Sequence, residues 1–370
     1  MIKQWNGIYG QTPAKNFLTK IINSSNIPHA FLFTGKDGIG KEYVAIEFAK
    51  LINIKNLSPD KIDKTSSSIS NFLEPYIKYI YPLPRGKNET DKDGPFDKLS
   101  ADTLEEIKNN LKEKIINPYF SIRLSNIKNI KISSIRDIKK FISLDYSEIS
   151  YRIILISFAH LMSIEAQNAL LKQLEEPPAG TVFILCTSNP SQLRETIISR
   201  CWEVNFLPLS IDEIREILES KFGIEKELAA KVAVFSNGSV TEGLNLIENN
   251  FKEMFEDTIQ ILRYSFAKKY NSAYNILNKY TSVNNSTSFK LLFKMIIIWL
   301  NDLTKEKNNL TNIYFEEHKT TLEKFNSKFS FLKVTPLVDK LDQFSNLIDR
   351  NINHSIIALN LVNELAAFIR

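Results

Sequence analysis

A short glycine-rich stretch is the first part of the chain whose residues could do chemistry. Its motif residues are Gly35, Gly38, Gly40, Lys41 and Glu42. An apolar run at 30–34 precedes it, and a helical pattern follows from about 42 to 52. Strand, Gly-x-x-x-x-Gly-Lys and helix form the context of a phosphate-binding P-loop, where backbone N–H groups and a lysine surround a phosphate. The spacing therefore predicts a P-loop.

The residue after the lysine departs from a working P-loop. That position normally carries Ser or Thr, whose hydroxyl holds Mg²⁺. Here it is Glu42, which can bind Mg²⁺ but also places a negative charge beside a triphosphate. The context favours a P-loop by descent, and two interpretations stay open. The loop binds ATP or ADP without hydrolysing it, or it is a glycine turn that only joins a strand to a helix.

A second stretch supplies the elements that would position this loop. Residues 152–157 and 181–187 are continuous apolar runs, typical of strands that are buried on both faces. Ser163 can cap a helix between them, and Pro177-Pro178 ends that helix. Two apolar strands joined through a helix predict a βαβ unit in a parallel sheet.

The same region carries a family resemblance. The string AQNALLKQLEEPP at 166–178 and the Ser-Arg-Cys tripeptide at 199–201 resemble the AAA+ clamp-loader family. The resemblance covers essentially the whole chain and is strongest over 30–52 and 151–250. It implies the α/β AAA+ fold class: a parallel sheet with a P-loop, then a three-helix lid and an all-α collar.

The expected domains follow from this resemblance and from the helical patterns near the C-terminus. The AAA+ core is expected at 1–207, with an irregular insertion at about 55–120. The lid is expected at 208–250 and the helical collar, which serves oligomerisation, at 251–370.

Three further positions lack the groups that an active enzyme of this family uses. Such an enzyme ends the strand at 157 with two carboxylates, one that holds Mg²⁺ through water and one that activates the attacking water. The family pattern places Ser157 and Phe158 there, and no Asp or Glu occurs within 152–164. Thr241 stands where family ATPases carry a nucleotide-sensing arginine. Together with Glu42, these residues predict a chain that does not hydrolyse ATP and has no catalytic residues of its own.

Arg200 is the group that the chain retains. The resemblance implies that Arg200, between Ser199 and Cys201, reaches the nucleotide bound in a neighbouring subunit as a trans arginine finger. Such a guanidinium can change a phosphoryl-transfer rate on the order of 10³-fold or more. The alternative is a surface arginine in a salt bridge.

A basic helix is the candidate DNA contact. The pattern at 132–142 predicts an amphipathic helix whose outer face carries Arg136, Lys139 and Lys140. The resemblance implies that this face contacts DNA, and an ordinary solvated face is the alternative. The net charge of +5 is compatible with nucleic acid but does not demand it.

Composition bounds the remaining possibilities. The 370 residues suggest two or three domains, and 43% hydrophobic with 24% charged residues is typical of globular proteins. No apolar run is long enough to span a bilayer, and the N-terminus lacks the apolar core of a signal peptide, so a cytoplasmic location and no membrane contact are expected. The two cysteines, Cys186 and Cys201, exclude a disulfide framework and a four-cysteine zinc site. We expect no zinc or other metal and no required cofactor.

The favoured hypothesis is a structural, non-hydrolysing clamp-loader subunit within a DNA polymerase holoenzyme. The implied partners are motor and clamp-opening subunits in a hetero-pentameric ring, the sliding clamp, and primed DNA within the complex. The alternative is an active AAA+ ATPase, either the motor subunit or a related remodeller, with a metal-binding Glu42 and a carboxylate from elsewhere. A DNA-binding protein that acts alone is a third hypothesis, which the modest charge disfavours.

Overall fold

The computed structural model describes most of the chain. The described residues are 5, 7–24, 26–55, 57–90, 92–122, 124, 129–143, 149–282, 286–311, 313–329, 331–348, 350 and 352–369. The chain divides into two compact units: Met1–Ile224 with Gly238–Thr241, and Glu225–Asn237 with Glu242–Arg370.

A five-stranded parallel sheet forms the centre of the first unit, with the order β2-β3-β4-β1-β5. The strands are β1 Ala30–Thr34, β2 Ile77–Ile80, β3 Arg152–Ile156, β4 Thr181–Thr187 and β5 Trp202–Asn205. Every residue of β1 and β4 is buried, because these strands lie inside the sheet with helices on both faces. The parallel pairing of β3 with β4 confirms the predicted βαβ unit.

Eight α-helices and two short 3₁₀ helices, Ala159–Leu161 and Pro190–Gln192, complete the first unit within the described residues. The α-helices are α1 Thr12–Asn23, α2 Lys41–Ile54, α3 Pro59–Ser70, α4 Ala101–Ile116, α5 Ile132–Ser143, α6 Ile164–Glu175, α7 Glu195–Ile198 and α8 Ile211–Phe222. Ser163 caps α6 by accepting from the Ala166 N–H. Ser210 and Glu213 form the capping box that begins α8.

The segment at 55–120 differs from the expected irregular insertion, because it contributes α3, α4 and the edge strand β2. β2 gives a weak signal because it has only four residues and its middle pair, Lys78 and Tyr79, is polar or amphipathic. The loop at 84–95 in this segment is also held by side-chain contacts. Lys131, which is 8% exposed, lies 2.9 Å from Glu89 and donates to the carbonyl oxygens of Pro84 and Pro95.

All the regular secondary structure in the described residues of the second unit is helical. Its helices are α9 Lys226–Phe235, α10 Val240–Glu248, α11 Phe251–Phe266, α12 Tyr270–Leu277, α13 Ser286–Lys307, α14 Lys319–Lys328, α15 Thr335–Leu347 and α16 His354–Phe368. The first two residues of α10 belong to the first unit. Trp299 is buried, as the apolar pattern of α13 predicts.

The helices of the expected lid are divided between the two compact units. Helix α8 belongs with the sheet, where Ser220 contacts Tyr9 and Lys221 contacts Tyr43, whereas α9 belongs to the second unit. The division at 207/208 and 250/251 stays a prediction. In the described part of the chain, no helix is both long enough and apolar enough to cross a membrane.

Candidate functional site

The glycine-rich loop between β1 and α2 is closely packed by the chain itself. Gly35, Gly38 and Gly40 have φ values of 141°, 75° and 96°, a backbone region that favours glycine. A Cβ on Gly38 would lie 2.2 Å from Ser239 Oγ, and a Cβ on Gly40 would lie 3.2 Å from the Tyr119 ring. The positive φ at all three positions, together with the crowding at Gly38, favours glycine whether or not a phosphate binds.

Lys41 is turned back onto its own loop. Its Nζ donates to the carbonyl oxygens of Gly35 at 2.7 Å and Lys36 at 2.6 Å, and it lies 3.9 Å from Asp37. Burial lowers the pKa of Lys41, and the nearby Asp37 opposes that effect. Two of the three ammonium protons thus serve the loop backbone.

Glu42 is the centre of a buried polar cluster. Lys114 Nζ lies 2.7 Å from its carboxylate, and the Tyr79 hydroxyl donates to it at 2.9 Å. The Ser157 hydroxyl donates to the other oxygen. Burial alone would raise the pKa of Glu42, but the Lys114 charge and the three hydrogen bonds hold that pKa below its ordinary value. Glu42 is therefore an ionised carboxylate with protein partners on both oxygens.

Lys114 comes from the last turn of α4 and is buried, with 2% of its side chain exposed. Besides Glu42, its Nζ donates to the carbonyl oxygens of Pro118 at 2.9 Å and Phe120 at 2.6 Å. An ammonium group has three protons to donate, and these three acceptors use them all.

The segment that follows α4 lies against the P-loop. The Thr241 hydroxyl donates to the Tyr119 carbonyl at 2.7 Å, and the Val240 N–H donates to the Gly38 carbonyl at 2.9 Å. The ring of Tyr119 packs edge-on against Tyr43, with centroids 5.7 Å apart. Thr241, predicted as a lost nucleotide sensor, thus lies at the P-loop and holds a neighbouring stretch of backbone.

The end of β3 brings the two predicted substitutions together. Ser157 is buried and bound to Glu42, and Phe158 lines the cleft beside the P-loop. Among the described residues that line this cleft, the carboxylates are Asp37 and Glu42. Each carboxylate has a lysine within 4 Å.

The residues present do not fit a magnesium nucleotide. The cleft beside the P-loop holds about 30 Å³, room for roughly one or two waters, whereas ligand pockets usually measure about 300–1,000 Å³. Mg²⁺ needs near-octahedral oxygen ligands, yet Lys114 already occupies the carboxylate that would supply one. No group of three or more His, Cys, Asp or Glu side chains in the described ranges could hold a metal ion. The absence of zinc stays a prediction.

Arg200 lies just after α7 and is partly exposed. Its Nη2 is 2.8 Å from Glu175 Oε1, and its Nη1 donates to the Thr196 carbonyl at 2.9 Å. The two paired side chains are 35% and 49% exposed. Ser199 is exposed, while Cys201 packs against the core and burial raises its pKa to about 12.

A family model described as "DNA polymerase III, delta subunit" matches residues 10–210, more than half of the 370-residue chain. The chain belongs to this family. It is a clamp-loader family member, and its five-stranded parallel sheet with a glycine-rich loop after β1 agrees with the α/β core that the resemblance implied.

Curated relatives agree with this membership. The DNA polymerase III subunit gamma/tau of Mycoplasma genitalium is 24% identical over 390 residues, which cover 97% of this chain and 56% of that protein. The subunit tau of Bacillus subtilis is 25% identical over 251 residues, covering 66% and 37%. The chain thus spans about half of the first relative and about a third of the second.

Solved structures are similar at a lower level. A DNA polymerase III gamma-subunit-related protein of Thermotoga maritima has 15% identity and a TM-score of 0.45, covering 97% of this chain and 100% of that one. A RuvB Holliday junction branch migration motor of the same organism has 14% identity and a TM-score of 0.39, covering 65% and 61%.

The predicted basic face of this clamp-loader family member lies on α5. Arg136, Lys139 and Lys140 are exposed, and Lys140 lies 3.9 Å from Asp137. The opposite side of α5 buries apolar side chains in the core beneath the sheet. The amphipathic helix is confirmed, and contact with DNA stays a prediction.

Sequence reasoning missed the residues that fill the P-loop cleft. Lys114, Tyr79 and Tyr119 lie in the segment interpreted as an irregular insertion. One signal was present: Lys114 is seven residues after Ile107 and three after Leu111, so it falls on the apolar face of α4. A lysine at a core-facing position requires a buried partner.

Proposed function

We propose that the chain is the delta-prime subunit of the DNA polymerase III clamp loader, a structural subunit that does not hydrolyse ATP. It presents Arg200 to the nucleotide bound by a neighbouring ATPase subunit while the assembly loads a sliding clamp onto primed DNA. The assembly is a hetero-pentameric ring that includes motor and clamp-opening subunits. Family membership supports the clamp-loader role, and the geometry of the cleft supports the absence of hydrolysis.

The observation that carries this proposal is the end of β3. In a hydrolysing site, one carboxylate there positions Mg²⁺ through water and the next activates the attacking water. Here the Ser157 hydroxyl donates to Glu42, and Phe158 faces the cleft. A hydroxyl that is already bound and an apolar ring supply neither function.

The energies involved allow Arg200 to exchange its ion pair with Glu175 for a phosphoryl group on a neighbouring subunit. An ion pair as exposed as Arg200–Glu175 contributes about 0–1 kcal/mol. An arginine finger on a transferring phosphoryl group changes kcat by about 10³–10⁵, equivalent to roughly 4–7 kcal/mol. Breaking the pairing with Glu175 therefore costs little compared with what the guanidinium can contribute at a transferring phosphoryl group.

The test is reconstitution with the cognate motor and clamp-opening subunits. Arg200→Ala should leave the assembly intact and lower hydrolysis at the adjoining site by about 10³-fold or more, with loss of ATP-driven clamp loading. Arg215→Ala is the matched control, because Arg215 is a partly exposed arginine paired with Asp212 at 2.9 Å. Unchanged loading with Arg200→Ala in an intact assembly would reject the trans role.

The isolated chain provides a separate check. It should show no steady ATP turnover, because Ser157 and Phe158 supply neither a metal ligand nor a base at the end of β3 and Lys114 already pairs with Glu42. Turnover that Lys41→Ala abolishes would instead identify the chain as an active ATPase.

A further inference from the structure

We propose that Lys114 is a built-in replacement for the metal ion of a P-loop site, so that the first unit keeps its P-loop arrangement without nucleotide or Mg²⁺. This inference deepens the proposed function, since it rests on the view that the P-loop no longer serves hydrolysis. It does not depend on Arg200.

The ligand groups of a P-loop metal site are present but exchanged. In working P-loop enzymes, a hydroxyl after the lysine and a carboxylate at the end of another strand hold Mg²⁺. Here the residue after the lysine is the carboxylate Glu42, and the residue that follows the strand β3 is the hydroxyl Ser157. The Ser157 hydroxyl donates to the Glu42 carboxylate. Lys114 Nζ lies 2.7 Å from that carboxylate. One carboxylate, one hydroxyl and one cation are thus all present, and the cation is an ammonium group.

The ammonium group closes the site in a way that a metal ion does not. Mg²⁺ keeps several waters and shares its remaining positions with phosphate oxygens. Lys114 instead directs its three protons to Glu42 and to the carbonyl oxygens of Pro118 and Phe120. All three acceptors belong to this chain, so the cation has no proton left for a phosphate or for water.

The same interaction fixes the backbone that covers the loop. Lys114 binds the start of segment 117–121, and Thr241 binds its middle through the Tyr119 carbonyl. Tyr119 then lines the cleft beside the P-loop together with Gly40. The Lys114 ion pair thus holds this backbone with groups of the chain alone.

The proposal predicts rescue by a divalent cation. Removing Lys114 leaves the buried Glu42 carboxylate uncompensated, which is strongly destabilising, whereas removing both charges is far less so. We therefore compare three variants of the full chain: Lys114→Met, the double variant Glu42→Gln with Lys114→Met, and Lys108→Met. Lys108 is an exposed lysine of the same helix and is the matched control.

Melting temperature and Mn²⁺ binding are the measurements. Lys114→Met should lower the melting temperature by about 5–10 °C, and millimolar Mn²⁺ should restore several degrees of it. Electron paramagnetic resonance of free Mn²⁺ should then show about one ion bound per Lys114→Met chain. Wild type, the Lys108→Met control and the double variant should bind none and show no shift.

Folding of the variants does not prevent the test. If Lys114→Met fails to fold without metal, the proposal predicts that Mn²⁺ or the added Glu42→Gln change restores folding. If neither restores it, or if wild type itself binds Mn²⁺ or Mn²⁺–ATP, the proposal is wrong. Binding of Mn²⁺–ATP without turnover would overturn this inference and leave the proposed function intact, whereas normal loading with Arg200→Ala would do the reverse.

Discussion

Glu42 occupies a position where its charge has to be matched by the chain itself. Its side chain is 14% exposed, and its partner Lys114 is 2% exposed. A buried pair of this kind contributes little net stability compared with apolar residues, but the loss of one member is costly. The pairing of Glu42 with Lys114 therefore explains why a P-loop with a carboxylate after the lysine can fold without metal.

The pH dependence of folding tests the state of Glu42. Because the pKa of Glu42 is lower in the folded chain than its ordinary value of 4.5, its ionised form favours folding. This contribution is complete above the unfolded pKa and is lost as pH falls through the folded pKa. Glu42→Gln should cost roughly 3–5 kcal/mol of unfolding free energy near pH 7, and the difference from wild type should shrink below about pH 4.5.

Denaturant unfolding at a series of pH values gives this difference directly. Glu105→Gln is the matched control, because Glu105 is exposed on α4, and it should follow wild type at every pH. A Glu42→Gln deficit that persists unchanged in acid would show that the carboxylate is not ionised in the fold.

At the scale of elements, the loop between β1 and α2 is shaped by the segment at 238–241. Ser239 and Thr241 lie so close to Gly38 that a Cβ there would come within 2.2 and 2.6 Å of their hydroxyl oxygens. These contacts join the P-loop to the start of α10 within the first unit. Crowding by protein, rather than by a phosphate, then accounts for the glycine at position 38.

Gly38→Ala separates this crowding from backbone strain. Gly223 ends α8 with φ 64°, close to the 75° of Gly38, but a Cβ there meets nothing within 4 Å. Both substitutions carry a strain cost of about 1 kcal/mol. Gly38→Ala should cost an additional 1–3 kcal/mol or so because it is overpacked. Thermal and denaturant unfolding measure both, and equal losses would mean that the contacts at Gly38 relax freely.

Elements with strong local signals could be predicted from the sequence, and those that depend on distant partners could not. β1, β3 and β4 are continuous apolar runs, and α6 and α8 have side-chain caps, so each was identifiable locally. β2 is short, and its place beside β3 follows from pairing with residues 76 positions away. The Lys114–Glu42 pair likewise joins residues 72 positions apart, and no local pattern specifies that contact.

The whole molecule carries a net charge of +5, and the face of α5 places three of its cations together. If that face contacts DNA in the assembled loader, the neutralising triple variant Arg136→Ala, Lys139→Ala, Lys140→Ala should reduce the salt slope of DNA binding. The slope of log K against log salt concentration should fall by up to about 2.7, which is roughly 0.9 for each phosphate that the variant no longer neutralises.

A second triple variant controls for net charge. Lys61, Lys108 and Lys112 are exposed on α3 and α4, and their replacement by Ala should leave the salt slope unchanged. Equal salt slopes for wild type and the α5 variant would show that this face is an ordinary solvated surface and does not contact DNA.

At the scale of the whole molecule we propose an asymmetry: the chain's own P-loop is closed to nucleotide, while Arg200 serves the nucleotide site of a neighbouring subunit. The most direct measurement compares Lys41→Ala with Arg200→Ala in the same reconstituted loader, with assembly verified for both. ATP-driven clamp loading should persist with Lys41→Ala and be lost with Arg200→Ala. Loading lost with Lys41→Ala and retained with Arg200→Ala would contradict the account.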